Sequence, residues 1–180
     1  VKDVDDTKTI GIRVTVANYA PLEGTITATV TPRSVVLTSG TDSREYNGQE
    51  LKVETVTPSG DGFVEGEGAT YSNFASITEV GGPIKNTFDF ELNEGTLANN
   101  YSIEKAYGTL TIIKNTTGLK FAESNPVGYT GMYDGGNHDA LTSLVVNGVN
   151  DETFTYGTDD MKVEFYINDE WVEKMPTVKD

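Results

Sequence analysis

The 180-residue chain has no cysteine and one histidine, His138. The first absence removes disulfides, thiolate nucleophiles and zinc–thiolate centres. The second leaves one imidazole for acid–base chemistry, and His138 has no nucleophile elbow or triad pattern around it. It follows Gly135-Gly136-Asn137 and reads as a surface-loop residue. Positive charge is scarce: 13 Lys and Arg stand against 28 Asp and Glu, a net charge of −15. Such a surface repels phosphate backbones and anionic lipid, so nucleic acid is not an expected partner. No apolar run approaches the ~20 residues of a membrane span, so membrane insertion is not expected of this stretch. No secretory leader is visible and residue 1 is Val, as in an internal piece of a longer protein. A sustained 3.6-residue apolar period is missing as well. Helix is therefore expected to be limited to a turn at 94–98 or 102–106.

What is present is strand and turn chemistry. The chain has 25 Thr, which together with Val, Ile, Tyr and Phe biases it toward strands, and 19 Gly for turns. Ile10, Ile12, Val14 and Val16 alternate with polar or small residues; so do Ile26, Ala28 and Val30, then Phe88, Phe90 and Leu92, then Met161, Val163, Phe165 and Ile167. Period-two alternation marks half-buried strands. Further strands are expected at 34–37, 51–56, 69–74, 108–113 and 140–146. Asn47-Gly48, Asp61-Gly62, Asp134-Gly135 and Asn147-Gly148 are turn signals, because such pairs accept positive φ cheaply.

The pattern repeats. Tyr46-Asn47-Gly48 returns 87 residues later as Tyr133-Asp134-Gly135, and Asn18-Tyr19 returns 82 residues later as Asn100-Tyr101. Each Asn-Tyr pair precedes a Gly-Thr strand, Gly24-Thr25-Ile26-Thr27 and Gly108-Thr109-Leu110-Thr111. Val178-Lys179-Asp180 repeats Val1-Lys2-Asp3. The phase divides the chain into 1–32, the C-terminal strands of a preceding repeat; 33–114, a complete repeat; and 115–180, the N-terminal part of a following one. The expected fold is all-β: tandem small β-domains, as Ig-like β-sandwich repeats or, alternatively, β-grasp-like sheets.

The stretch from Val35 to Ile112 resembles the repeats known as YDG or MBG domains, found in large surface proteins of gut Firmicutes and related bacteria. The resemblance rests on Val36-Leu37-Thr38-Ser39, Tyr46-Asn47-Gly48, Ser59-Gly60-Asp61-Gly62-Phe63, Asn86-Thr87-Phe88, Asn100-Tyr101-Ser102-Ile103 and Gly108-Thr109-Leu110-Thr111-Ile112. Asn47 stands where Asp is usual in the family, and both residues make the same turn. The resemblance implies a secreted or wall-anchored multidomain protein at the bacterial cell surface, serving adhesion, spacing or host contact. It carries over no catalytic residue.

Tyr46 and Tyr133 read as buried rings whose hydroxyls pin a strand corner to nearby backbone; Tyr19 and Tyr101 read the same way. Trp171, after a strong strand, is the best single residue for stacking on a sugar. The acidic clusters Asp3/Asp5/Asp6, Asp151/Glu152 and Asp159/Asp160 lack the spacing of a calcium loop, so no cofactor is expected and calcium at a repeat junction is the only one left open. No enzymatic activity is expected. Neighbouring repeats are the expected partners, and a host glycan or protein is the alternative.

Overall fold

The computed structural model describes Lys2 to Lys179. The regular structure of the described chain is almost entirely strand. Two single 3-10 turns, Val4–Asp6 and Ala98–Asn100, are its helical elements. The strands in chain order are β1 (Lys8–Val14), β2 (Leu22–Ala28), β3 (Arg33–Ser39), β4 (Asp42–Glu45), β5 (Leu51–Lys52), β6 (Val56–Gly60), β7 (Ala69–Ser72), β8 (Ser76–Ile77), β9 (Gly81–Lys85), β10 (Asp89–Leu92), β11 (Tyr101–Ala106) and β12 (Thr109–Ile113). They continue as β13 (Lys120–Phe121), β14 (Val127–Gly128), β15 (Asn137–Asp139), β16 (Leu141–Ser143), β17 (Val145–Asn147), β18 (Thr153–Thr155), β19 (Phe165–Ile167), β20 (Glu170–Val172) and β21 (Thr177–Lys179). The sheets are small. Three-stranded sheets run β11-β3-β6, β4-β12-β9 and β13-β17-β18, and the other strands form two-stranded sheets.

The chain forms two compact units. The first comprises the residues up to Ser43, then 51–77 and 82–111. Its core gathers Val35, Leu37, Phe88 and Tyr101, with Val56, Phe63, Tyr71, Phe74, Phe90 and Ile103 packed around them. Alternation on β3 sends Val35, Leu37 and Ser39 inward. β11 runs parallel to β3 on one side and β6 antiparallel on the other. Pro58 is tolerated in β6 because that strand is an edge, where a missing N–H breaks no ladder. Phe88 sits among the rings of Tyr71, Phe74 and Tyr107, each with its centroid 5.9 Å away. A polar knot closes this core. The Asn86 side-chain amide donates to the carbonyls of Gly40 (3.0 Å) and Val53 (2.9 Å), while Ser39 Oγ donates to the Asn86 carbonyl (2.6 Å) and accepts the Gly108 N–H (3.0 Å). Gly108 is required by space, since a Cβ there would stand 2.2 Å from the Gly40 carbonyl oxygen.

At the start of this unit β1 and β2 form an antiparallel hairpin with no third strand. Pairing puts Ile10 opposite Ile26 and Val14 opposite Leu22 on one face, and Thr9 opposite Thr27 and Arg13 opposite Glu23 on the other. Every residue of β1 is exposed.

The second unit comprises 44–50, 78–81 and the residues from Ile112 onward. Its buried apolar side chains are Ile112, Leu144 and Val146. Several expectations shift here. The run 140–146 breaks at Leu144 into β16 and β17, and of 161–167 only 165–167 is strand. The turn expected at Asn147-Gly148 lies instead at Asn150-Asp151, whose φ values are 53° and 63°. Asn147 pairs with Thr153 and the Gly148 N–H donates to the Glu152 carbonyl (2.9 Å), which carries the hairpin two residues further. In the first unit, 102–106 is part of β11 rather than a helical turn.

Candidate functional site

The two Tyr-Asx-Gly turns share one geometry. Asn47 Oδ1 accepts the N–H of Gln49 at 3.0 Å, and Gly48 has φ 72°. Asp134 Oδ1 accepts the N–H of Gly136 at 2.8 Å, and Gly135 has φ 76°. In each, a short side-chain oxygen stands in for a backbone carbonyl and the glycine takes the left-handed step.

Their tyrosines differ. Tyr46 is half-buried, and its hydroxyl donates to Glu152 Oε1 at 2.5 Å. Its carbonyl accepts from Asn115 Nδ2 (2.8 Å), and Gln49 Nε2 donates to Asn150 Oδ1 (2.8 Å). The hydrogen bond to the Glu152 carboxylate, with burial second, pushes the Tyr46 phenol up to about 12. The partner is thus a distant carboxylate rather than nearby backbone. Tyr133 is 81% exposed, not buried. Beside it, the Gly136 N–H and then His138 hold the Asp134 carboxyl below its ordinary value. His138 lies in β15, half-buried, stacked on Tyr129 with centroids 4.1 Å apart and Nε2 3.0 Å from Asp134 Oδ1. The surface-loop reading of His138 is corrected by the pairing of 137–139 with 177–179.

The Asn-Tyr pairs occupy different settings. Asn18 (φ 72°) and exposed Tyr19 form the turn between β1 and β2. Asn100 ends a 3-10 turn, and Tyr101 begins β11 with its ring buried against Phe63. The Tyr101 hydroxyl donates to Glu67 Oε2 (2.5 Å) and accepts the Val64 N–H (3.1 Å). Burial, then that carboxylate, raises its pKa.

The acidic clusters are partly spoken for. Asp3 and Asp5 accept from the side-chain amides of Asn100 and Asn99, and Asp6 accepts the N–H groups of Lys2 and Asp3, which lowers its pKa. Asp159 accepts the Thr155 N–H at 2.6 Å. Among the described residues no group of three or more His, Asp or Glu gathers as a metal site. Val1 and Asp180 of the terminal Val-Lys-Asp repeat lie outside the described residues.

Two surface features stand out by their shape and exposure. An open groove of about 450 Å³ in the second unit is lined by Leu119, Phe121, Leu144, Val146, Phe154 and Met161, with Asp160, Lys162 and Glu164 at its rim. Glu173 (2.8 Å) and Glu164 (3.2 Å) engage Lys162 and raise its pKa, which favours the protonated amine. The other feature is the hairpin β19–β20, which turns at Asn168-Asp169 and places Trp171 opposite Tyr166. Trp171 is 67% exposed, and the two rings tilt together with centroids 5.2 Å apart. The sequence pointed to Trp171 alone. Tyr166 was legible only as the polar-face partner in the alternation of 161–167.

Among the described residues no helix is long and apolar enough to cross a membrane. No protein-family model, curated protein sequence or solved structure matches this chain.

Proposed function

We propose that the chain is a structural, spacing module of a secreted or wall-anchored bacterial surface protein, part of an adhesin stalk of the YDG or MBG kind and without catalytic activity. The observation that carries this reading is the recurrence, 87 residues apart, of one Asx turn with the same glycine conformation and the same side-chain-to-backbone bond. A chain that reuses a local unit builds an array in which each unit touches its neighbours, and stiffness then comes from those junctions. The net charge of −15 keeps such an array soluble.

A second reading, a module that binds host glycan or protein, is favoured by the exposed Tyr166–Trp171 pair. Paired aromatic faces stack on apolar sugar surfaces. A glycan array, followed by NMR titration of the best hit, separates the two. The spacing role predicts no binding above background and no shift of the Trp171 indole resonance. Binding that Trp171→Ala abolishes assigns the chain to the recognition class instead.

A further inference from the structure

Exposed apolar side chains are distributed unevenly. Between residues 33 and 112 the exposed large hydrophobics are Val64, Val80, Leu97 and Tyr107. Seven more lie in 1–32, and ten in 113–180. The two flanks are therefore the parts of the chain with unfinished cores.

The chain also contains an example of a finished arrangement. The strand before the first Tyr-Asx-Gly turn, β4, pairs with the Gly-Thr strand β12. The Tyr46 N–H donates to the Ile113 carbonyl at 2.9 Å, and the Thr109 N–H donates to Thr41 Oγ1 at 3.0 Å. In that setting Leu110 and Ile112 are buried. The matching Gly-Thr strand is β2, where Ile26 and Ala28 take the places of Leu110 and Ile112. Ile26 is 51% exposed. The segment matching β4 is 129–132, which forms no strand, and Met132 beside Tyr133 is 91% exposed.

We propose that β2 of a second copy of this chain adds as a strand to residues 129–133, as β12 adds to β4, so that copies join head to tail. The proposal rests on the repeat reading behind the spacing role. Strand addition supplies backbone hydrogen bonds, and Ile26 and Ala28 supply the apolar contact that specifies register. The register transfers directly: the Tyr133 N–H donates to the Thr29 carbonyl of the incoming strand. Charge agrees as well. Residues 8–28 carry two basic and one acidic side chain, whereas 115–180 carry 12 acidic against 4 basic. Donor and acceptor surfaces are different, so the contact is heterologous and does not close on a dimer.

Sedimentation velocity over a concentration series tests this with the full chain. The wild type is expected to rise in mass beyond the 19.5 kDa monomer as concentration increases, without a plateau at the dimer. Ile26→Asp in the donor and Tyr133→Asp in the acceptor change exposed side chains and are each expected to weaken association at least tenfold. Mixed together, the two variants retain one intact donor and one intact acceptor and are expected to give a species of twice the monomer mass. Thr27→Asp, on the polar face of β2, is expected to associate like the wild type. Overturning results are a wild type that stays monomeric at every concentration, a mixture that does not recover the dimer, or a Thr27→Asp as impaired as Ile26→Asp. A monomeric wild type would leave the spacing role standing, whereas glycan binding lost with Trp171→Ala would overturn that role and not the strand addition.

Discussion

Asn86 is fully buried and holds three segments by its side chain and backbone. Its amide serves two carbonyls, its own N–H donates to the Gly108 carbonyl (2.9 Å), and its carbonyl takes the Ser39 hydroxyl. Asn86→Ala leaves two part-buried carbonyls without their donor, at a cost of up to about 1–3 kcal/mol each, and Asn86→Asp turns a carboxylate toward them. Both variants are expected to lower the urea midpoint, Asp at least as much as Ala; an unchanged midpoint in either contradicts the knot. At Tyr46 the prediction concerns pH. The neutral phenol is favoured in the folded state, so its contribution is fully present below the ordinary value of 10 and is lost as pH rises through about 12. Phenolate absorbance is expected to show late-titrating tyrosines, of which Glu152→Gln returns Tyr46 toward 10. The Asx turns were legible residue by residue because their geometry is local. Asn86 was visible only as part of the Asn86-Thr87-Phe88 resemblance, since its partners at 40, 53 and 108 are distant in sequence.

Alternation located β10, whose apolar face is partly covered, and the hairpin β1–β2. It overran where a turn interrupts it, as at Leu144, and where 161–164 pair with no strand. Short strands such as β5, β8 and β14 have too few residues for a period to register. Burial separates elements that look alike in sequence. Leu37 on β3 has no exposed surface, whereas Ile12 on β1 is exposed on a two-stranded ribbon. Leu37→Ala is expected to cost about 2–5 kcal/mol by chemical denaturation. Ile12→Ala, measured in dilute solution, is expected to stay within about 0.5 kcal/mol of wild type. Equal losses in the two variants would mean that the hairpin carries a core of its own. Asp134→Asn is expected to change thermal stability less than Asp134→Ala, because Asn47 makes the same turn and an amide oxygen still accepts from Gly136 and His138, while Asp134→Ala lowers the melting temperature by about a degree or two.

For the whole molecule, the all-β character followed from composition, alternation and the missing helical period. The order of strands in the sheets did not, because it depends on pairings such as β11 with β3 that join residues far apart in the chain. The central claim, a unit that holds its neighbours at a set distance, is tested most directly by small-angle X-ray scattering of proteins carrying one, two and three copies of the chain in tandem. A spacer predicts that the maximum dimension grows in proportion to copy number at low and at physiological salt. Growth as roughly the square root of copy number, the signature of freely jointed beads, would contradict it.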